Sequence, residues 1–164
     1  MKLLLIFFAL TISLSGCSFF DSLLPRGKFF CKIDGENFKP RKDDAPVGGI
    51  GASPIRRYLN LKDTLFTIYV DGENQSIGLT LKARSLDKIN VGKYLLKNNN
   101  KNSHAIFNPD RRAHKQEIIY SKNGYINVTK SEGFKISGTF EFTTEINNRA
   151  WKEYKITKGQ FNEL

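Results

Sequence analysis

An all-β chain is what this sequence predicts, folded as a single antiparallel β-sandwich or partly open barrel of about nine to eleven short strands. Three observations lead there. Apolar and polar residues alternate with a period of two along most of the chain, which is the signature of half-buried strands. Asp-Gly and Asn-Gly pairs interrupt the alternation, and both are hairpin chemistry, because Gly takes positive φ freely and Asp and Asn tolerate it. No stretch of a dozen residues sets apolar side chains at i, i+3, i+4 and i+7, the spacing an amphipathic helix needs.

The elements follow in order. Phe29–Ile33 reads as the opening strand and Asp34-Gly35 as its turn. Tyr58–Leu61 is a short strand, and Thr64–Asp71 puts Phe66, Ile68 and Val70 on one face and Leu65, Thr67 and Tyr69 on the other. After the turn at Asp71-Gly72, Ile77, Leu79, Leu81 and Ala83 repeat the alternation. Asp-Gly-Glu-Asn occurs at 34–37 and again at 71–74, which predicts one turn solution used twice. Lys93–Leu96 and Ala105–Phe107 are shorter candidates. Ile118–Tyr120 and Tyr125–Thr129 are expected to form a hairpin around Asn123-Gly124. Phe134, Ile136, Gly138, Phe140 and Phe142 make the longest alternating run, and Tyr154–Thr157 closes the chain. Arg41–Pro54, rich in Gly and Pro, and Lys97–Lys115, polar around its one short strand, should be long surface loops. Loops of that length in a compact domain tend to carry function.

The N-terminus has a different character. Lys2 precedes the uncharged run Leu3–Leu14, and Leu14-Ser15-Gly16-Cys17 ends it. A cationic start, about 7–15 apolar residues and small residues at the cut describe a secretory signal. A spanning helix would need about 20 apolar residues, and Asp21, Pro25 and Arg26 interrupt the pattern too early. Leu-Ser-Gly-Cys is the lipobox pattern, so residues 1–16 are expected to be a lipoprotein signal peptide and Cys17 the acylated first residue of the mature chain. One acyl chain binds a bilayer marginally and two anchor stably, at about 0.8 kcal/mol per buried CH₂. Residues 17–28 then form a tether and residues 29–164 the β-domain.

Composition narrows the partners. Loss of Lys2 with the leader takes the formal charge from +10 to +9. In an exported protein such an excess points to anionic lipid or acidic glycan, not to nucleic acid. Arg111 and Arg112, in a loop where five cations face Asp110, are the candidate ligand contacts. Trp151, with Tyr154 and Tyr125, is the candidate aromatic platform for a sugar or peptide. Cys17 being taken by lipid, Cys31 has no cysteine to pair with, and its neighbours Phe29, Phe30 and Ile33 predict a buried structural thiol.

Catalytic patterns are absent or fragmentary. Ser85-Leu86-Asp87-Lys88 has Ser-x-x-Lys spacing, but that chemistry needs a helical turn to bring amine to hydroxyl, and this segment ends a strand. His104 and His114 flank Asp110, too few ligands for a catalytic zinc, which takes three protein groups. Neither a metal nor another cofactor is expected, and an enzyme is not.

Several segments together resemble a family of small Bacteroidota lipoproteins built on an all-β domain of unknown function. They are Phe29–Gly35 with Phe38, Tyr120-Ser121, Ile126–Thr129, Ile136–Phe142 and Ile156–Phe161, covering most of Phe29 to Phe161. The resemblance implies an envelope location and a Gram-negative source, and brings no activity with it. Ser18–Ser22 lacks the acidic run resembling a surface-export tag of such bacteria, so the periplasmic face of the outer membrane is expected. Asp21-Ser22-Leu23 and Asp63-Thr64-Leu65 resemble their Asp-Ser/Thr-apolar O-glycosylation sites, making Ser22 the candidate and Thr64 the weaker one. The expected function is that of a membrane-anchored envelope lipoprotein acting as a non-catalytic binding or support module. A glycan-binding module is the alternative, and a hydrolase a more remote one.

Overall fold

The computed structural model describes residues 27–43, 53–83, 89–98, 101–113, 117–133 and 135–164. The expected signal peptide, Cys17, Ser22, most of the expected tether, Ser85–Lys88 and His114 lie outside the described residues. Ten strands and no helix occur among those described: β1 Phe29–Ile33, β2 Glu36–Phe38, β3 Ile55–Asn60, β4 Leu65–Asp71, β5 Ser76–Lys82, β6 Gly92–Leu95, β7 His104–Asn108, β8 Ile119–Glu132, β9 Lys135–Thr144 and β10 Lys155–Phe161. They form one curled sheet in the order β2-β1-β10-β9-β8-β7-β5-β4-β3, with β6 paired to β8 off this path. Every pairing is antiparallel. The described residues are all-β, as the alternation predicts.

The inward positions are those the alternation marks. Phe66, Ile68 and Val70 of β4, Ile77, Leu79 and Leu81 of β5, and Ile136, Phe140 and Phe142 of β9 are buried in one hydrophobic cluster. Phe140 is its aromatic centre, with ring centroids 5.2 Å from Phe29 and 6.3 Å from Phe161. Cys31 lies in the same cluster, fully buried, and burial pushes its thiol pKa up, away from reactivity.

Two turns differ from their expectation. Asn123-Gly124 is no hairpin: β8 runs straight through it, bonded to β9 from Ser121 to Glu132. Gly124 has φ +136° and sits beside a register shift in the ladder, and an added Cβ would stand 2.3 Å from Glu141 O. The glycine permits a bulge and a close strand approach, the other use of Gly within a strand. The hairpin is at Gly133, φ +63°, between Glu132 and Lys135. The repeated tetrapeptide also takes two shapes. Asp34 and Gly35 both have positive φ, at 51° and 90°, the two-residue hairpin form. Asp71 instead stays in its strand opposite Ser76, and Gly72 N–H bonds Gln75 O at 2.8 Å to close a wider turn. There a Cβ on Gly72 would meet the Phe38 ring at 2.6 Å, so that glycine answers to tertiary contact.

The register gives the sheet two distinct ends. At one, Phe29 pairs with Phe161, Asn162 N–H bonds Lys28 O, and the β8–β9 hairpin turns at Gly133. At the other stand the β1–β2 turn, the β4–β5 turn and the β9–β10 connection, which together line a hollow formed by Asp34, Phe38, Gln75, Lys152 and Tyr154. The chain enters the fold at the first end.

Candidate functional site

Asp71 is the least expected buried residue in the sheet. It closes β4 on the face opposite Val70, in a cross-strand row with Ser76 and Asn108. All three are buried, at 4%, 1% and 3% relative exposure. A carboxylate so placed must be paired and hydrogen-bonded to remain charged. Arg56 Nη2 reaches its Oδ2 at 2.9 Å and Arg111 Nε reaches its Oδ1 at 3.5 Å. Its backbone is held as well: Asp71 N–H donates to Pro54 O, and Arg41 N–H donates to Asp71 O, both at 2.8 Å. The carboxylate thus joins β4 to β3 and to the loop after β7, and the Asp71 backbone ties it to the segment after β2.

Local strand geometry presents the arginines. Arg56 pairs with Tyr69 across β3–β4, and its guanidinium lies 5.0 Å from that ring's centroid. Gly78, next in the row, lets the Tyr69 and Ile106 side chains fold over the sheet, since a Cβ there would meet Ile106 Cγ1 at 2.6 Å. Tyr69 Oη and Ser76 Oγ share a 2.7 Å hydrogen bond. Arg111 is carried in by its loop, where Arg111 N–H bonds Asn74 O at 2.7 Å and Asp110 Oδ1 accepts from the Arg112 and Ala113 N–H groups. The outcome is an open hollow of about 420 Å³ lined by Arg56, Tyr58, Tyr69, Asp71 and Arg111, within the ~300–1,000 Å³ of small-ligand sites. Tyr58 is 52% exposed at its rim.

The residues singled out from the sequence fall in different places. Arg111 is in this wall. Arg112 points to Glu73 at 3.4 Å in a solvent-exposed pair, which contributes little. Trp151 stands 82% exposed at φ +49° in the β9–β10 connection. Tyr154 packs its ring 4.9 Å from Phe107, and Tyr125 has the Lys93 ammonium 4.3 Å above its face. The three aromatics therefore have separate surroundings and do not assemble into one platform. His104 is buried against Tyr120, its Nδ1 2.8 Å from Asn102 O, while Asp110 caps its own turn. Among the described residues no group of three or more His, Cys, Asp and Glu side chains could hold a metal ion. Thr64, at φ +53°, spends its hydroxyl on Asp63 O at 2.7 Å. Sequence reading missed Arg56, Tyr58, Tyr69 and Asp71. Asp71 reads as turn chemistry, and a strand arginine carries no local mark of its partner.

Residues 60–164 match the family described as Domain of unknown function (DUF6252). The chain belongs to the DUF6252 family. Strands β4 to β10 lie inside the matched region, so Asp71, Tyr69 and Arg111 belong to the DUF6252 part, while Arg56 and Tyr58 come from the strand just ahead of it. No curated protein and no solved structure matches the chain.

Proposed function

We propose that the chain is a lipid-anchored envelope protein of a Bacteroidota-type bacterium, cleaved after Gly16 and acylated on Cys17, whose β-domain is a non-catalytic binding module. The periplasmic face of the outer membrane is its place. The signal-like run ending in Leu14-Ser15-Gly16-Cys17 supports the anchor. The observation that carries the binding role is the charged, tyrosine-rimmed hollow around Asp71, at the end of the sheet away from Lys28, where the tether enters. A module tethered at one end and indented at the other can face a partner while its lipid holds it at the bilayer. The buried, unreactive Cys31 and the occupied His104 favour binding over chemistry.

Two measurements test this reading. Labelled palmitate should enter the wild-type protein and not Cys17→Ala, which should leave the membrane fraction; no label, with unchanged fractionation of Cys17→Ala, would overturn the anchor. Capture of the lipidated protein with its partners from its own envelope, washed at graded salt, tests the module. Retention lost as salt rises is expected for a partner held by charge, and capture of no envelope component at any salt would sink the binding role. Ser22 is proposed to carry an O-linked glycan; an intact mass equal to peptide plus lipid would remove that proposal.

A further inference from the structure

The tetrapeptide Asp-Gly-Glu-Asn at 34–37 and 71–74 makes two turns of different shape, and both turns border one hollow. The first copy gives Asp34, Glu36 and Asn37 to the wall, and the turn of the second gives Gln75. Gly72 lets the turns come together, since its Cβ would stand 2.6 Å from the Phe38 ring. The hollow holds about 200 Å³, below the ~300–1,000 Å³ of drug-sized sites, which suits a single ring. Asp34 frames it, accepting from Lys155 N–H at 2.8 Å and pairing with Lys152 Nζ at 2.7 Å. Other polar groups in the wall are uncommitted. The side-chain amides of Asn37 and Gln75 have no hydrogen-bond partner among the described residues, and the Glu36 carboxylate forms no ion pair there. In the Asp71 hollow, by contrast, the carboxylate and the guanidinium groups engage one another. Charge then selects the ligand. Asp34 and Glu36 repel an anion, and the Lys152 ammonium repels a cation. Asn and Gln amides carry donor and acceptor together, as sugar hydroxyls do, and a carboxylate can accept from two neighbouring hydroxyls. The buried Ile33 and Phe38 offer apolar surface to ring C–H groups.

We propose that the hollow between the two Asp-Gly-Glu-Asn turns binds one neutral hexose unit, with its hydroxyls on Glu36, Asn37 and Gln75. This rests on the binding-module reading above and names a ligand class for it. The site lies at the end of the sheet away from Lys28, so a glycan end can enter it while the lipid stays in the bilayer. Asp34 is a positioning residue here: it fastens the first turn to β10 and holds Lys152 in the wall.

Nuclear magnetic resonance titration of the full mature chain in neutral detergent tests the assignment, read at the side-chain amides of Asn37 and Gln75. The probes are the methyl glycosides of glucose, galactose and mannose, with methyl glucuronoside, glucosamine and glycerol for comparison. At least one neutral hexoside should bind with a Kd of about 1 mM, the scale expected for so small a ligand, and salt should not weaken it. Binding should be about fivefold weaker in Asn37→Ala and in Gln75→Ala, and unchanged in Tyr58→Ala at the rim of the other hollow. Asn37 is exposed in an edge strand, so its substitution spares the fold, and circular dichroism of each variant checks that. Tighter binding of the glucuronoside or of glucosamine would overturn the neutral class. Glycerol matching the hexosides would overturn the sugar. Absence of binding, or binding that Tyr58→Ala weakens while Asn37→Ala and Gln75→Ala do not, would overturn the site. If envelope capture then still retains partners, the module reading stands and this assignment alone falls.

Discussion

Three residues show how far side-chain chemistry alone decides local stability. At Gly124, φ +136° and a 2.3 Å approach of Glu141 O to any added Cβ leave no room for substitution. Gly124→Ala is expected to cost about 3 kcal/mol, through overpacking and backbone strain together; chemical denaturation should show the loss with an unchanged m-value. Thr64 is the reverse case. A β-branched residue at φ +53° is strained, and Asn occupies that region readily. Thr64→Asn should therefore stabilise the fold by about 0.5–1 kcal/mol, read as a rise in thermal midpoint. Asp71→Asn removes the charge from between two guanidinium groups whose side chains keep 32% and 27% exposure. Water reaches both arginines, so the expected cost is about 2 kcal/mol, below the ~3–5 kcal/mol of a fully buried pair.

Among the elements, the β1–β2 hairpin depends on one carboxylate. Asp34 Oδ1 accepts from Lys155 N–H at 2.8 Å and Oδ2 pairs with Lys152 Nζ at 2.7 Å, fastening the turn to the start of β10. Burial would raise the Asp34 pKa, but those two bonds and the lysine charges outweigh it and hold the carboxyl below its usual value. A group whose folded pKa is depressed adds stability that is present above its unfolded pKa, about 3.9, and lost as pH falls through the folded value. Protection of the β1 and β2 amides against hydrogen exchange, relative to their intrinsic rates, should accordingly fall below about pH 4, and Asp34→Asn should remove that acid-dependent part. Sequence legibility divides along the same line. Strand faces were readable wherever a side chain's neighbours alternate, as in β4, β5 and β9. Asn123-Gly124 has hairpin chemistry yet forms a bulge, because a glycine at positive φ serves either and only the partner strand decides between them. The Asp71 hollow was legible only in Arg111, because its other members come from strands β3 and β4 and meet through register, which no local pattern encodes.

On the scale of the whole molecule, β8 ties the two parts of the sheet together. One edge of it bonds β9 for most of its length, while the other meets first β7, at Tyr120 and Ile119, and then β6, from Tyr125 to Val128. Unfolding should consequently be a single transition, with near-ultraviolet and far-ultraviolet signals superimposing; two separated transitions would contradict a shared spine. The span matched by the family, 60–164, begins after β1, β2 and nearly all of β3. Yet β1 supplies Phe29 and Cys31 to the common core and covers the outer edge of β10. A recombinant fragment cut at residue 60 would bare that strand's row of N–H and C=O groups beside a vacated apolar trough, an invitation to self-association. Whoever expresses the domain for ligand screening should begin no later than Lys28, or expect inclusion bodies in place of a soluble receptor.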